Sequence, residues 1–211
     1  MAGLSGLRYL AIEGPIGAGK TTLSDRLAGT LGAELLLEQP EQNPFLELFY
    51  QDRRANALPT QLCFLLQRAR QLEQLRQGDL FQRQWVADFL FEKDRIFAQL
   101  NLEGHEMDLY QQIWQRLAWE SPQPDCVIYL HAPIEVLMQR VRQRARAEEH
   151  ALSAFYLNQV AQAYTAFFSR YRASRLIIVD SARMDLVNAP RDYECLMKAL
   201  ASDQPVMQLP V

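Results

Sequence analysis

The sequence predicts an α/β domain of the doubly wound kind, five parallel strands flanked by helices. Three observations carry this. Short apolar runs at 9–13, 34–38, 85–90, 126–131 and 176–180 are largely non-alternating, as strands covered on both faces are. Amphipathic helical patterns fill the gaps between them, and alternation with long crossovers implies a parallel sheet. The first run leads straight into a glycine-rich turn, Gly14-Pro15-Ile16-Gly17-Ala18-Gly19-Lys20-Thr21, and a helix follows it.

Taken in order, the run at 9–13 is a buried strand and 22–31 the helix after the turn. The second strand ends in Leu35-Leu36-Leu37-Glu38, just before Gln39-Pro40. A long amphipathic helix covers 58–77, with Pro59 and Thr60 at its start. Asp88 interrupts the third strand, between Trp85-Val86-Ala87 and Phe89-Leu90. Further helices are expected at 106–120, at 134–149 behind Pro133, at 152–171 with aromatics on one face, and at 191–201. The tail 202–211 carries two prolines and reads as a loose end. There are no repeats and no low-complexity segment.

The chain has 211 residues without an internal break, so one domain, 1–211, is expected. A net charge of −3 gives no global drive toward nucleic acid polymers or anionic membranes. Cys63, Cys126 and Cys195 are scattered and show no C-x-x-C spacing, which suits reduced thiols in a cytoplasmic protein. Residues 1–8 are too short and mild for a signal peptide, and no stretch has the length of a membrane span.

The turn fits G-x-x-x-x-G-K-[ST], the phosphate-binding loop. Successive backbone N–H groups over Gly14–Thr22 converge on one point beside a helix N-terminus, and glycines let the chain approach phosphate oxygens. Lys20 would reach the β- and γ-phosphates and the Thr21 hydroxyl would hold Mg²⁺. Arg140, Arg142, Arg144 and Arg146 crowd one helix end; Arg140 and Arg144 share a face, and Arg146 falls near the following loop. The plain alternative is a solvated basic face offset by Glu148 and Glu149, but beside a phosphate loop the cluster reads as a clamping lid at about 140–150. Glu38 and Asp88 are acids at the carboxyl ends of strands, where ligands gather. Each is a metal ligand, a general base, or a carboxylate capping the next turn. Among Phe45, Phe49, Phe64, Phe89 and Phe91, any would stack on a base, though most suit the core; His105, His131 and His150 have no partner pattern.

These residues together resemble the deoxynucleoside kinase family over nearly the whole chain. The match runs through Gly14-Pro15-Ile16-Gly17-Ala18-Gly19-Lys20-Thr21-Thr22, Glu38, Asn43-Pro44-Phe45-Leu46, Phe49-Tyr50 and Leu58-Pro59-Thr60-Gln61, and on through Arg68, 88–98, 140–149, Tyr156-Leu157 and Tyr164. It is most similar to the bacterial deoxyadenosine/deoxyguanosine kinase branch. The resemblance implies a P-loop kinase fold, ATP and Mg²⁺ as donor and cofactor, a deoxynucleoside as acceptor, and a homodimer. It implies that Glu38 takes the 5′-hydroxyl, Tyr50 and Glu149 the 3′-hydroxyl, and Gln61 the base edge, with Arg68 and Asp94 paired beside it. Asp88 would stand near Mg²⁺ and the 5′-oxygen, Arg140, Arg144 and Arg146 would be lid arginines, and Asp185 would lie in the loop around the adenine of ATP. Gln61 and Arg68 are two helical turns apart and so lie on one face.

Two departures stand out. The arginine expected after Asp88 is Phe89, leaving Lys93 as a replacement charge, and the lid's glycine is Ala145. The first departure weakens a monophosphate-kinase reading, which needs extra cations, and motivates a non-catalytic nucleotide-binding reading. The intact Lys20, Thr21, Glu38 and Asp88 argue against the latter, and no N-K-x-D segment supports a switch GTPase.

Overall fold

A strand apolar on both faces belongs inside a sheet, and β1 (Tyr9–Glu13) lies there, buried along its whole length. The structure is a computed structural model that describes residues 6–78, 83–118, 121–146 and 149–210. The sheet is parallel, in the order β2-β3-β1-β4-β5-β6, with β2 at Glu34–Leu36, β3 at Trp85–Ala87, β4 at Cys126–His131, β5 at Arg175–Asp180 and β6 at Val206–Leu209. It thus has six strands rather than the expected five. The extra strand comes from the tail, which is no loose end. Pro205 and Pro210 bracket β6 instead of interrupting it, so neither removes a ladder donor from its interior. Leu209 is buried there.

Strands β2 and β3 stop earlier than expected, and the cause is polar. The Asp88 amide still donates to the Leu36 carbonyl, but the Glu38 amide turns to the Asp88 carboxylate and the Leu90 amide to the Glu13 carboxylate. Side-chain acceptors therefore replace strand partners, and both Glu38 and Asp88 lie just beyond the carboxyl ends of their strands.

Helix α1 (Lys20–Leu31) follows the glycine loop and packs on β1 and β3. Two short helices escaped the periodicity reading: α2 (Leu46–Gln51) and α4 (Lys93–Asn101). Helix α3 (Arg53–Gly78) starts earlier than Pro59, because Asp52 accepts from the Ala55 amide at its first turn. Pro59 consequently lies inside the helix, where the Ala55 carbonyl loses its donor. Helix α5 is Gly104–Ala118, and the rest of the expected helix, 119–120, lies outside the described residues. Helix α6 (Ile134–Arg144) ends five residues short of expectation, since Ala145 takes the left-handed conformation (φ 50°) that usually falls to glycine. Arg146 is in the loop beyond it, and 147–148, Glu148 included, are outside the described residues. Helices α7 (Ala154–Arg170) and α8 (Pro190–Leu200) complete the fold. The aromatic face of α7 is core: Tyr156, Tyr164 and Phe168 are buried, and Tyr129 stacks on Phe168 at 4.2 Å between centroids. Among the described residues no helix is long and apolar enough to cross a membrane.

Candidate functional site

The glycine loop is shaped by close approach of backbones. A Cβ on Gly14 would stand 2.3 Å from the Leu130 carbonyl oxygen, and one on Gly17 2.6 Å from that of Leu137 in α6. Gly17 also has φ 86°, a conformation side chains resist. Glu13 fixes the loop's start: its carboxylate is fully buried and accepts from the Gly14 and Leu90 amides and the Tyr164 hydroxyl. Lys20 folds back over the loop, donating to the Gly14 and Pro15 carbonyls at 2.8 and 3.2 Å. Burial, with the nearby Lys93 charge, lowers its pKa to about 8.

The two strand-end acids meet at this loop. The Thr21 hydroxyl donates to Asp88 Oδ2 at 2.6 Å, and the Glu38 amide donates to Asp88 Oδ1 at 2.7 Å. One carboxylate thereby ties α1 to the chain leaving β2. The Glu38 carboxylate is held by two cations: Arg68 on Oε1, and Lys93 Nζ on Oε2 at 2.7 Å. Burial pushes its pKa up, but Lys93 and Arg68 outweigh that and hold it well below the usual carboxylate range. Arg68 turns its other arm to Asp94, whose second oxygen accepts from the Tyr110 hydroxyl at 3.0 Å. Burial pushes Asp94 up to about 6 despite Arg68. Asp94 thus stands behind Arg68, off the cavity wall, and orients it.

These groups line an inner cavity of about 90 Å³ with Ile16, Tyr50, Gln61, Phe64, Phe97, Arg144, Arg146, Glu149 and Tyr156 among its walls. Phe89 and Phe91 are core, leaving Phe49 and Phe64 as the wall phenylalanines of the five considered, while Phe45 is partly exposed. The Arg144 guanidinium pairs with Glu149 Oε1. Tyr50 lies close enough to Glu149 to feel its charge, although burial is the chief cause of the raised tyrosine pKa. Three buried polar atoms on this wall lack a partner: Gln61 Oε1, Arg68 Nε and Glu149 Oε2. Unpaired buried groups are costly, so these define what a ligand must supply: a donor for Gln61 and for Glu149, an acceptor for Arg68.

On the other side of the loop an open cleft of about 700 Å³ is lined by Gly17, Ala18, Gly19, Thr22, Arg140, Arg144 and the 181–188 loop, with Asp185 among its walls. Arg140 is committed here rather than inward, donating to Ser181 Oγ and its carbonyl at 3.1 and 2.6 Å. Asp185 folds its own loop by accepting from the Val187 and Asn188 amides, and Asn188 chiefly holds its pKa low. Arg144 lines both spaces and so marks where they meet, whereas Arg146 lines only the inner one.

Four contributors were not singled out from the sequence. Glu13, an acid inside a buried strand next to the loop, had the same signal that marked Asp88. Tyr164 was noted only as part of the family resemblance. Tyr110 is a buried hydroxyl on an amphipathic helix and gave no sign. Arg26 is the fourth: it ties α1 to the cleft loop through the Leu186 and Val187 carbonyls at 2.7 and 2.6 Å.

A strand, glycine loop and helix facing convergent acids and an arginine-bearing helix define a phosphate-loop phosphotransferase. More narrowly, the chain belongs to the deoxynucleoside kinase family, whose model matches residues 10–203. It is 32% identical over 191 residues to a deoxyguanosine kinase of Bacillus subtilis, covering 88% of this chain and 92% of the relative. A deoxyadenosine kinase of Lactobacillus acidophilus is 26% identical over 196 residues, covering 86% of this chain and 89% of the relative. Among solved structures, a deoxyadenosine kinase from M. mycoides with bound dATP superposes with a TM-score of 0.80 at 25% identity, covering 92% of this chain and all of that one.

Proposed function

We propose that this protein transfers the γ-phosphoryl group of ATP to the 5′-hydroxyl of a deoxynucleoside, with purine deoxynucleosides preferred and deoxycytidine accepted. The observation that carries this reading is the Asp88 bridge. It places the phosphate loop and Glu38 on one cavity, with Gln61 and Arg68 on the same wall. The outer cleft suits the donor, with Gly17–Thr22 around its phosphates, Arg140 and Arg144 beside them and the Asp185 loop at its base. The inner cavity suits the acceptor. Gln61 offers an amide and Arg68 a free Nε–H to a base edge, and Asp94 holds Arg68 in plane. Tyr50 and Glu149 Oε2 suit the 3′-hydroxyl.

Thr21 and Asp88 would hold Mg²⁺. Among the described residues no group of three or more His, Cys, Asp or Glu is gathered for a metal. One hydroxyl and one carboxylate match an ion that takes its remaining ligands from phosphates and water. The ion would neutralise charge on the phosphates. Glu38 orients the 5′-hydroxyl and accepts its proton, and Lys20, Arg144 and Arg146 stabilise charge on the group in transfer.

A single-domain homodimer working in the cytoplasm on nucleotide salvage is part of this reading. One continuous core supports the single domain, three free cysteines support the cytoplasm, and exposed Leu66 on α3 and Leu109 on α5 offer apolar surface for a second copy. A panel of the four deoxynucleosides with Mg·ATP, followed by ADP release, tests the activity. Turnover highest with deoxyguanosine or deoxyadenosine is the expected result. Turnover of monophosphates alone, or none despite ATP binding, would overturn it.

A further inference from the structure

The position after Asp88 cannot carry charge. Phe89 is fully buried in the core. The cation that faces the site from this segment is Lys93, the first residue of α4. Its location is doubly unfavourable: a helix N-terminus repels a cation, and the residue is only 5% exposed. Such a lysine persists only when something in the site holds it. Its ammonium donates to Glu38 Oε2 at 2.7 Å and stands over the Phe97 ring at 5.8 Å. Among the described residues its other two N–H donors have no acceptor, and the side chain lines the inner cavity beside Lys20, Arg144 and Arg146. Five cations line this small space, Lys20, Arg68, Lys93, Arg144 and Arg146, against three carboxylates, Glu38, Asp88 and Glu149; the surplus of positive charge, with Lys93 and Lys20 near enough to oppose each other, forms a receptor for an anion.

Two further facts make Lys93 the movable member. Glu38 keeps Arg68 on its other oxygen, so it is not left without a cation when Lys93 moves away. The inner cavity, at about 90 Å³, is far below the roughly 300 Å³ at which small-molecule sites begin. A nucleoside therefore enters by displacing side chains, and the one lying across Glu38 Oε2 occupies the place proposed for the 5′-hydroxyl.

We propose that Lys93 is a catalytic residue shared between Glu38 and the phosphoryl group. In the free protein it neutralises Glu38. With both substrates bound, its ammonium passes to an oxygen of the phosphoryl group and leaves Glu38 Oε2 to the 5′-hydroxyl. The 5′-oxygen then bonds to the γ-phosphorus, the bond from that phosphorus to the bridging oxygen breaks, and its electron pair stays on ADP. The hydroxyl proton goes to Glu38. This inference rests on the kinase reading and assigns the charge that Phe89 cannot provide.

The test is calorimetric affinity for a deoxynucleoside and for its 5′-monophosphate, measured on wild type, Lys93→Met and Lys93→Arg, with kcat beside it. Lys93→Met is expected to hold the nucleoside within about threefold, to bind the monophosphate at least ~10-fold more weakly, and to lose ~10²–10³ in kcat. Lys93→Arg restores most of the monophosphate affinity. If Lys93→Met melts below the assay temperature, Lys93→Gln takes its place, with the same expectations. Equal effects on the two ligands, or none, overturn the shared-lysine role while wild-type turnover leaves the kinase reading standing. A wild-type protein that binds neither ligand removes both.

Discussion

Replacing Gly17 by alanine isolates the seating of the glycine loop on α6. Gly17 has φ 86°, and its would-be Cβ meets the Leu137 carbonyl oxygen at 2.6 Å in α6. Gly19 has a similar φ of 97° but open space around the added atom. Both substitutions incur the left-handed penalty of ~1–2 kcal/mol. Only Gly17→Ala must also push a backbone carbonyl aside, an overpacking cost of ~1–3 kcal/mol. For a domain of this size ~1 kcal/mol moves the midpoint by ~2–4 °C, so Gly19→Ala should melt ~2–8 °C below wild type and Gly17→Ala ~2–12 °C lower again. Thermal unfolding followed by circular dichroism without ligand reads this directly. Equal midpoints for the two variants would refute the argument, because the contact with α6 would then be carrying no constraint. The same contact makes a second difference: moving α6 shifts Arg140 and Arg144, so Gly17→Ala should also bind ATP more weakly than Gly19→Ala.

Two other perturbations probe the charge network. Glu38→Gln should lower kcat by ~10²–10⁴ while ATP affinity stays within about threefold, and unchanged turnover would take Glu38 out of the chemistry. Arg68→Met removes the shared partner of two buried acids and should cost ~3–5 kcal/mol in urea unfolding. That deficit should depend on pH with a definite sign. Burial already raises Asp94 to about 6 with Arg68 present, and losing the guanidinium raises it further. An acid raised in the folded state contributes stability at low pH that is lost as pH rises through its folded value. The variant should therefore lie closer to wild type near about pH 5.5 than near about pH 8, and a deficit that shrank as pH rose would contradict the assignment.

The parts of the fold that were legible in the sequence are those governed by local pattern. β1, β4 and β5 are continuous apolar runs, and the glycine loop is a local motif whose function follows from backbone geometry alone. The parts that were not legible depend on partners distant in the chain. β2 and β3 end where they do because the Asp88 carboxylate takes the Glu38 amide and the Glu13 carboxylate of β1 takes the Leu90 amide, and the local pattern does not show which amides those acids will reach. β6 exists because β5 presents an edge to it, whereas its own four residues between prolines look like any tail. The site follows the same division. Glu38, Asp88 and the lid arginines stood out as charges in unusual places. Lys93 was named as a replacement for the charge missing at Phe89, but the charged stretch Glu92-Lys93-Asp94-Arg95 gave no sign that the fold would bury it against Glu38. Tyr110 is tied to Asp94 across sixteen positions and two helices.

The pairing in the ligand-free site also bears on how selectivity arises. Most of its working groups already hold a protein partner: Lys20 its loop carbonyls, Thr21 the Asp88 carboxylate, Arg140 Ser181, Arg144 Glu149, and Glu38 two cations. A ligand that displaces these partners exchanges one polar bond for another, so such contacts orient it and add little net affinity. The exceptions are Gln61 Oε1, Arg68 Nε and Glu149 Oε2, which are buried and unpaired. A bond made to any of these relieves a standing penalty, and a ligand that fails to make it leaves the penalty in place. Discrimination among nucleosides should therefore concentrate at the base edge opposite Gln61 and Arg68 and at the sugar hydroxyl opposite Glu149. Lys20, Arg140 and Arg144, which already have partners, would serve the reaction rather than the choice of substrate.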